Sequence, residues 1–344
     1  MNGSRGIVLC GLAAVLFGAS APAASRLAGE LGAFTLAGLL YLGAALATAP
    51  TFAITPPTMV NLRRGGRRLA VAVFFGGAAG PVLLAAGLAR TSASNASLLL
   101  NLEPVFTTII AAVFLGEHIG RRVGSGTALV AVAGLLLATT SLGDARWGAL
   151  LVVGACLSWA VDNNITAALD ELRPAHITFA KGVFAGTANL AIGLTLGGGG
   201  PSLAQAGWAM LIGAVGYGLS ITLWVSGARE IGAARGQLVF AAAPFVGAVI
   251  AWTVLAEPVG ARQLLATAIA AAGISLVARS AHEHLHTHRS IEHDHGHVHD
   301  DGHHAHVHPE DPTGQHQHRH THDAAVHSHP HVPDIHHRHE HTHD

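Results

Sequence analysis

Ten stretches of this 344-residue chain are each apolar over the length of a membrane crossing, which takes roughly 20 residues of helix. They run at about 6–23, 33–54, 69–88, 94–116, 124–142, 147–168, 175–196, 207–228, 236–256 and 261–278. Between them stand Pro56-Pro57, Arg63-Arg64, Gly143-Asp144, Arg173-Pro174 and the stretch 197–201, the punctuation expected of loops. In lipid every backbone N–H and C=O must be satisfied within the segment, so such runs are helices. Charged residues make up only 11% of the chain, less than half of the roughly 25% in soluble domains. That argues against a soluble enzyme. The two cysteines, Cys10 and Cys156, lie inside apolar runs and offer no disulfide framework. The first run ends near Ala21-Pro22-Ala23, small residues like those at a signal-peptide cleavage site. Nine more spans follow it, so it is read as an uncleaved first helix.

Arginine placement sets the expected orientation. With the N-terminus inside, the cytoplasmic side receives Arg5, Arg63, Arg64, Arg67, Arg68, Arg121, Arg122, Arg173, Arg229, Arg235 and Arg279. The outer side receives Arg26, Arg90, Arg146 and Arg262. Eleven against four places both termini in the cytoplasm, of a bacterial inner membrane.

The apolar body repeats itself at an offset of 140 residues. Gly87 falls on Gly227, Pro104 on Pro244, Leu115 on Leu255, Glu117 on Glu257, Gly120 on Gly260 and Arg122 on Arg262. The block NLEPVFTTIIAAVFLGEHIGRR (101–122) thus answers AAAPFVGAVIAWTVLAEPVGAR (241–262). Each half, 1–142 and 143–279, holds five spans, an odd number, so the second half is upside down relative to the first. Inverted repeats of this kind build many secondary transporters, with the substrate site near the bilayer midplane.

The run LEPVFTTIIAAVFLGEHI and the glycine-rich helix after it resemble the signature of EamA-type transporters, in the drug/metabolite transporter superfamily. The resemblance covers about 6–140 and 147–279. It implies a ten-helix bundle with alternating access to a central cavity, exporting small solutes, and leaves the substrate open. At the position answering Glu103 this chain has Ala243, so the two halves are not chemically equivalent at the centre.

An ionisable side chain inside a span costs about 2.5–3.5 kcal/mol on insertion scales and is a functional candidate by default. Three stand out: Glu103, Asp162 and Lys181, the last being the only lysine in the chain. Asp162 and Lys181 flank the Asp170–Arg173 turn at equal distances along the chain, each about 10 Å from it at helical rise. Their meeting depends on helix rotation. A structural ion pair, a snorkelling lysine and a transport role all remain open. In Asp162-Asn163-Asn164 successive side chains point about 100° apart, so the triplet cannot serve one neighbour. One or two line a wet path, or all hydrogen-bond between helices. Desolvation disfavours the charged form of a carboxyl group, which suits Glu103 to carry a proton; binding a cationic solute or bonding a neighbouring helix are the alternatives. Pro104 can kink that helix. Asn95 and Asn101 add polar lining; Trp159, Tyr217 and Trp224 offer an aromatic wall or simple packing. Glu117, His118 and Glu257 read as solvated or interfacial helix-end groups with no substrate role. The GxxxG spacings Gly76/Gly80 and Gly182/Gly186 read as close helix packing.

Residues 280–344 are unlike the rest. They carry 24 of the 26 histidines, 3 Arg and 11 Asp+Glu. With no apolar periodicity they cannot bury a core, and disorder is expected without metal. Imidazole suits zinc, nickel and cobalt, and the ligand candidates are His282, His284, His286, His288, His293, His295, His297, His299, His329, His331, His336 and His337. Binding needs neutral imidazole and should weaken below about pH 6.5.

No GxxxxGK[ST], GxSxG or HExxH occurs, so neither ATP-driven transport within the chain nor an enzyme is expected. No cofactor is required and no nucleic-acid partner is expected; the lipid bilayer is the partner, and a homodimer stays open. The reading is a secondary transporter, exporting a small solute or metabolite with proton coupling. The alternative is a divalent-cation exporter (nickel, cobalt or zinc) fed by the histidine tail; a non-transporting metal receptor or store is a third class.

Overall fold

The computed structural model describes residues 3–115, 119–139, 143–169, 172–197, 200–231, 233–278, 282–288, 291–297, 316–322 and 325–331. Among them nine helices are long and apolar enough to cross a membrane: α1 Ser4–Ala28, α2 Ala33–Ile54, α3 Met59–Leu88, α4 Ala93–Phe114, α5 Arg121–Ala138, α6 Asp144–Ala167, α7 Pro174–Leu196, α8 Leu203–Ala228 and α9 Gly236–Thr253. A tenth, α10 Ala261–Val277, is apolar but shorter. All ten stand where the apolar runs stand. The largest shift is at α3, which starts ten residues before its run. Pro56-Pro57 cannot continue α2, and Thr58 caps the new helix, its Oγ1 accepting from the Asn61 amide at 3.2 Å. Arg63, Arg64, Arg67 and Arg68 therefore ride on helix rather than on a loop. Arg68 Nη1 donates to the Ala168 carbonyl at 2.7 Å, capping the end of α6.

The helices pack as a pseudo-twofold inverted repeat requires. α1 lies on α8 as α6 lies on α3; α1 lies on α9 as α6 lies on α4; α2 lies on α8 as α7 lies on α3. The pairs α2/α7, α4/α9 and α5/α10 join equivalent helices across the axis. Small residues permit these approaches. A Cβ on Gly126 would stand 2.6 Å from the Gly273 carbonyl oxygen, and one on Gly273 would stand 2.7 Å from that of Gly126, which locks α5 to α10. A core of buried Leu, Ala and Val runs through the middle of the body, with Leu36, Leu99 and Val152 fully buried. A second cluster, Ala72, Leu169, Leu172 and Ile177, fills the space between the start of α3 and the α6–α7 hairpin.

The repeat extends to irregularities. α4 is broken at 100–101 into Ala93–Leu99 and Leu102–Leu115. α9 is broken at 241–242, between Ala233–Phe240 and Ala243–Thr253. π-helical turns occupy Val73–Ala79 in α3 and Ala214–Leu219 in α8, again equivalent positions. A third π turn, Lys181–Ala185 in α7, has no counterpart in α2.

Residues 281–332 form a separate unit. Strand β1 (His282–His288) pairs antiparallel with β4 (Ala325–His331), and β2 (Ile291–His297) with β3 (His316–His322). The ladder sets His282, His284 and His286 opposite His331, His329 and His327. It sets His293, His295 and His297 opposite His320, His318 and His316. In these four segments the backbone is extended and paired. Alternation with period two gives no buried core, but it is also the period of a strand. His299, His336 and His337 lie outside the described residues.

Candidate functional site

The break in α4 places Glu103 in the first turn of the half-helix Leu102–Leu115, where the exposed N–H dipoles favour negative charge. The break, one turn ahead of Pro104, is an interruption at Leu100-Asn101 rather than the kink expected at the proline. Asn101 is buried and turns back on its own backbone, Nδ2 donating to the Leu98 carbonyl at 2.9 Å. Across from the break runs α6. Its polar triplet divides among neighbours, as a 100° step demands. Asn163 Nδ2 donates to Glu103 Oε1 at 2.7 Å. Asn164 Nδ2 donates to the carbonyls of Thr107 at 3.2 Å and Ala160 at 2.8 Å, which holds α6 to α4. Asp162 faces the other way, to α7.

There Lys181 Nζ donates to Asp162 Oδ2 at 2.6 Å, and Thr166 Oγ1 donates to Oδ1 at 3.0 Å. The side chains of Lys181 and Asp162 are 13% and 7% exposed. Of the options the sequence left open, the snorkelling lysine is thereby set aside: the ammonium ends on a carboxylate inside the body. At such burial neither charge is tolerable alone. Removing one partner of a buried pair costs about 3–5 kcal/mol.

The carboxylate sits against the π turn of α3. A π turn frees carbonyls from the regular ladder and is frequent at functional sites. Here the freed groups are taken by side chains from three other helices. Tyr41 Oη and Trp159 Nε1 both donate to the Gly76 carbonyl, at 2.6 and 3.1 Å. Ser158 Oγ donates to that of Phe75 at 3.2 Å, and Asn189 Nδ2 to that of Ala78 at 3.3 Å. Sequence reasoning offered Trp159 as wall or packing and missed Tyr41, Ser158 and Asn189 altogether. The usable signal was the offset itself: Tyr41 is the repeat counterpart of Lys181.

Aromatic rings continue from this point. Tyr41 neighbours Tyr217 at a centroid distance of 5.8 Å, Tyr217 neighbours Phe17 at 5.8 Å, and Phe17 neighbours Phe240 at 5.3 Å. Trp224 follows at 6.3 Å. Tyr217 and Trp224 thus belong to one row reaching from α8 to the Gly76 carbonyl. Away from it, a crevice of about 560 Å³ opens between α1 and α8, lined by Leu16, Ser20, Arg26, Trp208, Ile212 and Gly216 among others; Glu103, Asp162 and Lys181 do not line it.

Two further residues take definite places. Glu257 stands at a helix end, its carboxylate accepting from the amides of Ala93 and Ser94 at 2.7 and 2.9 Å, capping α4. Asn95 stands at that same end, accepting from Gln263 Nε2 at 3.2 Å, far along α4 from Glu103. Glu117 and His118 lie outside the described residues. Among the described residues no group of three or more His, Cys, Asp or Glu is placed to hold a metal ion.

Ten apolar helices among the described residues, in two inverted halves with broken helices and a buried charge pair, define an integral membrane protein built like a secondary transporter. The sequence matches the EamA-like transporter family twice, over residues 4–140 and 146–279. The chain belongs to that family. It is 28% identical over 207 residues, 57% of this chain, to an uncharacterized transporter of Methanothermobacter thermautotrophicus. The match spans about 60% of that relative's length. It also resembles a protein of known crystal structure, with a TM-score of 0.56 and 16% identity over 79% of this chain and 95% of the other; this likeness concerns the fold alone.

Proposed function

We propose that the protein is a secondary active transporter of the inner membrane, exporting a small solute or metabolite in exchange for protons. Both termini are cytoplasmic in this reading, by the arginine asymmetry of the loops. The observation that carries it is the juxtaposition on α6 of two neighbouring polar contacts: Asp162 with Lys181, and Asn163 with Glu103. Glu103 is the proton carrier. The amide of Asn163 donates through Nδ2 to the charged carboxylate and, turned over, accepts through Oδ1 from the protonated one. Either state keeps its partner, so protonation changes charge without orphaning a group. Asp162 and Lys181 select the solute. A ligand that brings only one sign of charge leaves the other partner buried and unpaired. A zwitterion, carrying both an ammonium and a carboxylate, exchanges partners with both and avoids that penalty.

The second reading, export of a divalent cation, rests on the histidine tail. What the body supplies is unfavourable to it. A dication beside Asp162 would also stand beside Lys181, and like unit charges at 4 Å repel by about 4 kcal/mol at an effective dielectric of 20. We assign the tail a separate role, binding zinc, nickel or cobalt on the cytoplasmic side; the cross-strand histidine register in β1/β4 and β2/β3 supports that role.

The test is made in cells lacking the gene, supplied with full-length protein, a chain ending at Ala281, or Lys181→Ala. Cellular metal and extracellular metabolites are measured under sub-toxic nickel, cobalt and zinc. The proposal expects metal content to follow the tail and to ignore Lys181→Ala, while at least one zwitterionic metabolite leaves the cell only with Lys181 present. Metal depletion that vanishes with Lys181→Ala would make the cation the substrate.

A further inference from the structure

The spacing Gly76/Gly80 has a use beyond close packing. Two adjacent glycines, Gly76 and Gly77, stand in the π turn of α3, where each weakens the helix locally. Their surroundings differ from those of the other glycine pairs. A Cβ on Gly182 would meet Ala45 and the Tyr41 carbonyl, and one on Gly186 would meet Leu42, all on α2. That is helix packing. A Cβ on Gly76 would instead land on the carboxylate of Asp162, overlapping Cγ and Oδ2 and standing 2.7 Å from Oδ1. One on Gly77 would stand 3.2 Å from Lys181 Cβ and 2.8 Å from Ala185 Cβ. One turn on, a Cβ on Gly80 would stand 2.7 Å from the indole nitrogen of Trp159.

The geometry points to Gly76-Gly77 as a cradle that positions the ion pair, Gly76 receiving the carboxylate and Gly77 the stem of the lysine. Tyr41 and Trp159 fix the cradle by donating to the Gly76 carbonyl. Trp159 precedes Asp162 by three residues on α6, so one side chain of that face holds the carbonyl while the next lies against the Cα of the same residue. Gly76, Gly77, Tyr41 and Trp159 are therefore positioning residues for the selecting pair. The inference rests on the role proposed above for Asp162 and Lys181, and it adds the elements that set where the two charges meet. It explains why helix α3, which contributes no charge to the site, carries glycines there: any side chain at 76 takes the volume the carboxylate needs.

Because Lys181 is the only lysine, its state is directly readable in the full-length protein. The probe is acetic anhydride, small and uncharged, applied to the detergent-purified chain, with acetylation of Lys181 followed by peptide mass spectrometry and the N-terminal amine as internal reference. An amine held as an ion-paired ammonium reacts slowly. Asp162→Asn should raise the rate at least about tenfold, a fraction of what a buried pair carries. Gly76→Ala should approach that rise, and Tyr41→Phe, which removes one donor from the Gly76 carbonyl, should give about two- to threefold. Gly126→Ala, which loosens α5 against α10 instead, should leave the rate unchanged. A wild-type rate in Gly76→Ala beside a raised rate in Asp162→Asn overturns the cradle and leaves the pair standing. A wild-type rate in Asp162→Asn removes the pair itself. Equal rises in Gly76→Ala and Gly126→Ala reduce the effect to general loosening and also overturn it. If Gly76→Ala does not fold, Tyr41→Phe decides, an unchanged rate counting against the cradle.

Discussion

The two broken helices, α4 and α9, are built alike and equipped differently. Each is interrupted at the same repeat position, 100–101 and 241–242, and each resumes with a proline in its first turn, Pro104 and Pro244. At the residue before that proline one has Glu103 and the other Ala243. Glu103 finds Asn163; Ala243 is buried with its carbonyl packed against Gly18 of α1. The same holds one layer away. Tyr41 in α2 serves a backbone carbonyl, while its counterpart Lys181 in α7 serves a carboxylate and begins a π turn that α2 lacks. Backbone irregularities therefore follow the repeat, whereas charge has been gathered on one side of it. An inverted repeat needs like backbones to exchange roles between inward and outward states; it does not need like side chains. In the proposed reading, one proton carrier and one selecting pair suffice.

The comparison breaks most severely at Lys181. Lys181→Ala leaves Asp162 charged and buried, and should lower stability by about 3–5 kcal/mol, with loss of solute export; thermal unfolding of the detergent-solubilised protein and an efflux assay read the two effects. The double change Lys181→Ala with Asp162→Asn should recover most of the stability and none of the export. If the single variant is as stable as the wild type, the pair is not buried as described.

Next comes an attempt to make the halves equal. Ala243→Glu puts a carboxyl group at a buried position with no counterpart of Asn163, since residue 23 is alanine. A loss of about 2.5–3.5 kcal/mol is expected, the order of an unpartnered intramembrane charge. Full stability with altered pH dependence of export would mean that the second break can also carry a proton. Glu103→Gln tests the other half. Export driven by a pH step across proteoliposomes should stop responding to the step, while counterflow of solute at equal pH continues, because glutamine still accepts from Asn163.

Smaller effects separate the body from its tail. A chain ending at Ala281 should lose most bound nickel or zinc at pH 7.5 and keep its unfolding temperature. In the full chain, metal binding should fade as pH drops through about 6.5, because protonated imidazole cannot coordinate; equilibrium dialysis at pH 7.5 and 5.5 measures both. The smallest change should follow Glu257→Ala, which removes the cap on α4, at about 0.5–2 kcal/mol by the measure of helix caps.

Much of this was legible in order along the chain. Ten spans, their odd number per half, the 140-residue offset and the three charged residues needed only hydropathy, length and matching. Even the depth match of Asp162 and Lys181 followed from their spacing about one turn. The Asn163–Glu103 contact was not readable, because periodicity places a residue along a helix but not the rotation of that helix against another. The cap that Glu257 places on α4 was not readable for a related reason: a helix-end carboxylate meets solvent unless a distant helix starts beside it, and α4 does.

Insertion into lipid is decided segment by segment, by hydrophobicity over about 20 residues, so the amino-acid sequence by itself determined the spans, their repeat and the short list of groups too costly to be idle. Partner choice among those groups is decided between helices over a few ångströms, by the space glycines leave and by which carbonyls a π turn releases. Only the tertiary structure, which brings α2, α3, α4, α6 and α7 together, settled that Asp162 meets Lys181 against Gly76 while Asn163 turns to Glu103.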